Sequence, residues 1–242
     1  MNAPIRILGI IPAREGSKGI YNKNMKLLAG KPLIYYTIES ALKSKLLDTI
    51  IISSDCQRIL EYAQQFPAIE IPFVRPKHLA SDFSTSLEVV RHALNYYAEA
   101  EIAFEYVVLL QPTSPFRSPD LVDRSIQLII DKQADSLITV QKIPHKFHPD
   151  WAFFDGQQGL RRAIKEDETI VPRRQDLSDS YYRDGKIYIS KTALIREGRL
   201  LGGRIASLLT EGELDINIDS YADWEAAQIQ IDKWRQYQNA GY

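Results

Sequence analysis

Residues 6–141 alternate short apolar runs with segments of helical periodicity, and that alternation leaves the chain few folds to choose from. The runs "RILGII" (6–11), "TIIISS" (49–54) and "YVVLLQ" (106–111) are nearly unbroken in apolar residues. A strand of that kind is covered on both faces. "SLITVQ" (136–141) adds another, and "IEIPFVR" (69–75) is predicted as a strand nearer an edge because Pro72 has no N–H to offer. Pro32 opens a helix at its favoured first position, with Ile34, Ile38, Ala41 and Leu42 on one face. Thr85 and Glu88 form a capping-box pattern ahead of Leu87, Val90, Leu94 and Tyr97. Ser118-Pro119 starts a helix that turns Leu121, Val122, Ile126, Ile129 and Ile130 inward. The rhythm predicts an α/β fold: a doubly wound, mostly parallel sheet with helices on both faces.

The rhythm stops near residue 142. The segment up to "YYRDG" lacks a helical period and is rich in turn residues, so it is predicted to be a small β-rich insertion with its own hairpins. "KIYISKTALI" (186–195), "GGRIASLL" and "ELDINID" are predicted as strands, and Ser220 as the cap of a last helix bearing Trp224, Ala227, Ile231 and Trp234 on one side. The expected division is therefore an α/β domain over 1–141 plus 196–242, and an insertion over 142–195.

Composition excludes several classes of function. A net charge of −1 over 242 residues gives no basic field for nucleic acid or acidic membranes. Apolar runs such as "VVLL" are far too short to span a bilayer, and no charged-then-apolar leader opens the sequence, so no signal peptide is expected. A single cysteine, Cys56, precludes an internal disulfide and fits a reducing cytoplasm.

The loop after the first strand carries the chemistry. In "IIPAREGSKGIYNKN" (10–24) an apolar run gives way to Arg14, Gly16, Ser17, Lys18 and Gly19, then Lys23 and Asn24. In open α/β sheets ligands sit beyond the carboxyl ends of the strands, where this loop begins. Glycines let backbone N–H groups approach an anion, Arg14 offers a planar fork, and Lys18 offers a compact charge. The spacing is neither that of a Walker loop nor G-x-G-x-x-G, and a glycine-rich turn with solvated cations is the plain alternative. Asp215, Asn217 and Asp219 alternate in "DINID", so on a strand they would share one face. Oxygen donors projecting together suit a hard cation such as Mg²⁺, and a polar strand edge is the alternative. Ser84 and Thr85 can be explained by helix capping alone, Gln111 by a turn before Pro112, and the pair Arg173 and Arg174 by surface charge.

The motif set as a whole resembles one family. "IPAREGSKGIYNKN" followed by "LLAGKPLIYYTIESA", then "RPKHLASDFSTSLEVV" (75–90), "LLQPTSPFR" (109–117), "RRQD" (173–176), "DGKIYI" (184–189) and "DINIDSYADW" (215–224), resembles the CMP-sialic acid synthetases, or acylneuraminate cytidylyltransferases, in order and over nearly the whole chain. The resemblance implies a Rossmann-like nucleotidyltransferase fold and a homodimer, with 1–141 plus 196–242 as the nucleotide-binding α/β domain and 142–195 as the sugar-binding and dimerisation insertion. It also implies transfer of CMP from CTP to a nine-carbon acidic sugar with Mg²⁺, releasing pyrophosphate.

By motif, Arg14, Ser17, Lys18, Lys23 and Asn24 would hold the triphosphate, with Arg14, Lys18 and Asp219 catalytic. Arg75, Ser84 and Ser86 would read the base. Gln111, Arg174, Gln175 and Tyr188 would hold the sugar, with Arg174 on its carboxylate and Tyr188 crossing to a neighbouring subunit. Asp219, with Asn217 or Asp215, would hold the metal. Trp151 stands where the sialic acid enzymes of bacteria carry a lysine, which opens the substrate to related acids such as legionaminic or pseudaminic acid. Two rival readings are a 3-deoxy-manno-octulosonate cytidylyltransferase, whose phosphate loop differs, and a non-catalytic nucleotide-binding regulator.

Overall fold

The computed structural model describes residues 5–156, 159–164 and 169–239. A six-stranded sheet forms its centre. From one edge the strands run β10 (Ile205–Leu209), β6 (Ser136–Lys142), β9 (Tyr181–Lys191), β5 (Tyr106–Leu109), β1 (Ile7–Pro12) and β4 (Thr49–Ser53). Every neighbouring pair is parallel except the two that β9 makes with β5 and β6. Because β9 runs against the rest, its first residues lie at the edge where β1, β4 and β5 end. Two short antiparallel pairs stand outside this sheet, β2 (Leu27–Leu28) with β3 (Lys31–Pro32) and β7 (Phe153–Gly156) with β8 (Gly159–Arg162).

The apolar runs alternate between two cores. Ile7, Ile11, Ile50, Ile52, Tyr106 and Val108 face α1 (Leu33–Leu42), α2 (Gln57–Ala63) and α4 (Leu121–Asp131). Leu8, Ile10, Ile51, Val107 and Leu109 face α3 (Ser86–Glu99) and Ile195 of α5 (Thr192–Arg196). Burying such a side chain contributes about 1.5–3 kcal/mol, which explains why both faces of each strand are apolar. A third cluster seats α6 (Tyr221–Asn239), whose Trp224, Ala227, Ile231 and Trp234 pack with Tyr36, Phe116 and Ile218. The capping box of Thr85 and Glu88 is formed as expected, and Cys56 is free and buried. No helix among the described residues is long and apolar enough to cross a membrane.

Four expectations change. Residues 69–75 make one isolated bridge, Ile51 to Glu70, because Pro72 interrupts the ladder. "TALI" closes β9 as the short helix α5. "DINID" is an irregular segment, tied by the Ile218 N–H to the Thr113 carbonyl at 2.7 Å, with Ile218 sunk in the α6 cluster. The expected 142–195 unit also takes in β9, a strand of the central sheet, and the hairpin of β7 and β8 is the part that stands off from it.

Candidate active site

The loop after β1 is held at both ends. Ala13 N–H donates to the Ser53 carbonyl at 3.0 Å, and Asn24 Nδ2 donates to the Arg14 carbonyl at 3.1 Å. Asn24 therefore shapes the loop through its own amide. Lys23, 8% exposed, donates to the Ile218 carbonyl at 2.7 Å and to Asp219 Oδ1 at 3.0 Å. Gly19 lies so close to the DINID segment that a Cβ there would meet the Asp219 carbonyl oxygen at 1.8 Å. Arg14 and Lys18 converge on one carboxylate: Asp82 lies 2.8 Å from Arg14 Nη2 and 3.3 Å from Lys18 Nζ. Desolvation raises the Asp82 carboxyl, but hydrogen bonds from Lys18 and Arg14 outweigh it and hold the group below its ordinary range.

A cavity of about 240 Å³ opens beside this loop. Arg14, Ser17, Lys23, Asn24, Arg75, Ser84, Ser86, Gln111 and Asp219 all line it. Arg75, 4% exposed, spends two donors on Ser53: Nε on its hydroxyl at 3.0 Å and Nη2 on its carbonyl. Burial lowers the guanidinium pKa to about 10, with nearby Asp55 opposing the shift and Arg14 adding to it. A guanidinium has five N–H donors, so three remain for a ligand. Ser84 Oγ is engaged locally, donating to the His78 carbonyl at 2.8 Å.

A larger cavity of about 520 Å³ adjoins the first. Ser86, Gln111, Thr113 and Asp219 line both, so the two spaces share a wall. Tyr182, Arg183, Asp184, Tyr188, Asp215 and Asn217 complete much of the larger one. Beneath its floor, Asp184 accepts from Thr139 Oγ1 at 2.5 Å and Thr210 Oγ1 at 2.6 Å. Lys186 Nζ stands 3.0 Å from Glu213 and 3.9 Å from Asp184. Arg117, 1% exposed, donates to the Gln111 carbonyl at 2.7 Å and the Lys186 carbonyl at 2.8 Å, holding the two cavity walls together. Burial lowers its pKa to about 9, against the pull of Asp184 and Glu213.

The candidate metal donors meet by a route other than a strand face. Asp219 Oδ1 pairs with Lys23, and Oδ2 accepts from Asn217 Nδ2 at 2.7 Å. Tyr182 hydroxyl donates to Asp215, and burial followed by that bond raises the tyrosine pKa. Asp223 braces the segment by accepting from the Asp219 and Ser220 N–H groups at 3.0 and 2.7 Å. No group of three or more His, Cys, Asp or Glu side chains gathers to hold a metal among the described residues. Asp219 offers an exposed carboxylate, and Asp215 and Asn217 line the same cavity with further oxygen atoms. Such donors suit a cation that keeps water and substrate phosphate as its other ligands.

Two expected sugar residues stand elsewhere. Arg174 and Gln175 lie on an exposed 3-10 turn, Arg174–Asp176, and line neither cavity. Lys18 is largely exposed and reaches the site only through Asp82, while Tyr188 lines the larger cavity of its own chain. Trp151 is used structurally, donating to the Val171 carbonyl at 2.8 Å. Sequence reasoning passed over Asp82, Arg117 and Arg183. The first two sit inside quoted motifs, while nothing local marks Arg183 apart from its place before Asp184.

Cavities at the carboxyl end of a mostly parallel sheet, a cation-lined loop after the first strand and a carboxylate facing it are the features of a nucleotidyltransferase site. The chain belongs to the cytidylyltransferase family, whose profile matches residues 8–236, and is a nucleotidyltransferase of the acylneuraminate cytidylyltransferase type, as its motifs imply. CMP-N,N'-diacetyllegionaminic acid synthase of Legionella pneumophila is 34% identical over 224 residues, covering 91% of this chain and 94% of that protein. N-acylneuraminate cytidylyltransferase of Escherichia coli is 32% identical over 249 residues, covering 97% of this chain and 55% of that longer protein. The structure of CMP:2-keto-3-deoxy-manno-octonic acid synthetase complexed with CTP shares the fold, with a TM-score of 0.68 at 16% identity over 94% of this chain and 99% of that one.

Proposed function

We propose that the enzyme joins CMP from CTP to a nine-carbon acidic sugar, with CTP in the smaller cavity and the sugar in the larger. The observation that supports this most is the shared wall: Ser86, Gln111, Thr113 and Asp219 border both spaces, so a phosphoryl group and a sugar hydroxyl can meet there. Arg14, Ser17, Lys18, Lys23 and Asn24 lie along the triphosphate side. Arg75, with Ser84 and Ser86, lies on the base side, and its free donors match the acceptor edge of cytosine. The anomeric oxygen attacks the α-phosphorus in line and a new O–P bond forms. The bond to the α–β bridging oxygen breaks, pyrophosphate leaves with that oxygen, and the hydroxyl proton passes to water. Positioning and neutralisation of charge supply most of the acceleration in reactions of this kind.

Asp219, with Asn217 or Asp215, would hold Mg²⁺, and the bound ion would neutralise phosphate charge and polarise the phosphoryl group. Lys23 and Asn217 orient Asp219 through their bonds to its two oxygens. Self-association as a homodimer is assigned to the projecting hairpin, where Phe153, Phe154 and Leu160 are 45%, 60% and 72% exposed. A cytoplasmic location agrees with the free, buried Cys56.

The decisive experiment measures pyrophosphate release with CTP and Mg²⁺ against N-acetylneuraminate, legionaminate, pseudaminate and 3-deoxy-manno-octulosonate. A nine-carbon acid is expected to react, and EDTA to stop the reaction. Binding of CTP with no release across the panel would instead favour the non-catalytic regulator.

A further inference from the structure

A third cavity lies away from the site described above. It opens between the start of α4, the second half of α6 and residues 211–214, with a volume of about 390 Å³, and shares no lining residue with the other two. Cavities that take small ligands run from about 300 to 1,000 Å³. Its apolar side is made by Phe116, Pro119, Leu214 and Trp234, with the Phe116 and Trp234 rings packed 5.5 Å apart between centroids.

The charges around it are unequal. Among the described residues that line it, Arg124 is the one cation, against Asp120, Glu211 and Glu213. Arg124 is already engaged: Nε lies 2.9 Å from Asp120 Oδ2, and Nη2 lies 3.2 Å from Ser118 Oγ and 3.3 Å from Glu213 Oε1. Glu213 is likewise held from two sides, by Ser118 Oγ at 2.9 Å and by Lys186 Nζ at 3.0 Å. Glu211 makes no hydrogen bond or ion pair among the described residues. Lys142, whose ammonium feels its charge, is paired instead with Asp179. An entering anion would meet three acids and no available cation. An ammonium finds an unpaired carboxylate in a cavity with aromatic walls, and such rings attract a cation as well as an apolar body.

We infer that this cavity is a second ligand site, for a small organic cation: a protonated amine carried on an apolar or aromatic body. The ammonium pairs with Glu211, and the body rests on Phe116, Pro119, Leu214 and Trp234. The assignment is independent of the reaction proposed above, since the two sites have no residue in common.

The test uses the full chain and probes of one shape at neutral pH: 2-phenylethylamine as the cation, 2-phenylethanol as the neutral molecule and 3-phenylpropionate as the anion. Titration calorimetry and the change in tryptophan fluorescence report binding. The amine is expected to bind saturably, the alcohol more weakly and the propionate not measurably. Glu211→Gln should raise the amine Kd roughly two- to fivefold, the range of one exposed ion pair, and leave the alcohol unchanged. Arg124→Gln removes the competing cation and should lower the amine Kd by a similar factor. Opposite shifts in these two variants separate a charge-selecting site from damage to the fold. The fluorescence change should be lost in Trp234→Phe. No saturable binding of the amine, equal binding of amine and alcohol, measurable binding of the propionate, or an amine Kd that Glu211→Gln leaves unchanged would overturn the site.

Discussion

Lys23 Nζ and Asp219 Oδ1 stand 3.0 Å apart across 196 residues of sequence. The pair joins the loop after the first strand to the segment before the last helix, so two motifs at opposite ends of the chain form one wall. Lys23 is buried and also satisfies the Ile218 carbonyl, whereas Asp219 faces the cavity with its side chain 63% exposed. Lys23→Ala leaves that carbonyl unpaired and frees Asp219 to move. The expected cost is about 1–3 kcal/mol of stability, or a fall in melting temperature of roughly 2–12 °C for a chain this size. Activity should fall further than stability, by about 10²-fold in kcat/KM, because the carboxylate loses its orientation. Thermal denaturation and steady-state kinetics on the same preparation check both, and unchanged kinetics would remove Lys23 from the site.

Asp82 occupies the two cations that a triphosphate would need. Its carboxylate binds Arg14 and Lys18 from the segment that also carries Ser84 and the α3 cap, so nucleotide must displace it. Asp82→Asn removes the competing charge while keeping the shape. CTP should bind roughly two- to fivefold more tightly at low salt, since exposed pairs of this kind are individually weak. The difference should shrink near 1 M salt, where the screening length falls to about 3 Å. Titration calorimetry at two salt concentrations decides it, and weaker binding by the variant would make Asp82 an organiser of the loop instead of a competitor.

Glycines in the loop after β1 have unequal roles. A Cβ on Gly19 would lie 1.8 Å from a backbone oxygen of Asp219, whereas one on Gly16 would meet nothing within 4 Å. Gly19→Ala must therefore push the loop away from Asp219, and misplacement of that order costs about 10²-fold in rate. Gly16→Ala should lose less than about tenfold by the same measure. Comparable kcat/KM for the two variants would refute the close approach as the reason for Gly19.

The sheet was legible because each central strand must be apolar on both faces, and Ile50, Ile51 and Ile52 indeed divide between the two cores. That the loop after β1 and Arg75 come to one cavity was legible for a related reason, since a strand end fixes where the next residues go. Asp215, Asn217 and Asp219 line one cavity, yet an irregular segment carries them. Its alternating isoleucines imitate a strand, while Ile218 in fact anchors it under α6. Periodicity cannot separate those cases over five residues. Where Arg183 comes to stand was beyond local reading, because it pairs with Val140 of β6, 43 residues earlier, across an irregular stretch of the ladder. Asp82 was concealed by its neighbours, whose capping pattern explains the segment without it.

Beneath the larger cavity, buried Arg117, Lys186 and Asp184 form with part-buried Glu213 a set of two positive and two negative side chains. Asp184→Asn looks conservative, because it keeps the size and shape of the side chain. In this chain it leaves two cations facing one carboxylate and turns an amide donor towards the Lys186 N–H, which now donates to Asp184 at 3.0 Å. Breaking a buried pair in this way costs about 3–5 kcal/mol. Urea unfolding of Asp184→Asn should show that loss with little change in m-value. Removing the surplus charge should recover part of it, so the double variant Asp184→Asn with Lys186→Met is expected to be more stable than Asp184→Asn alone. If the second substitution only adds to the damage, charge balance is not what holds the cavity floor, and the threonine hydroxyls on Asp184 carry that role.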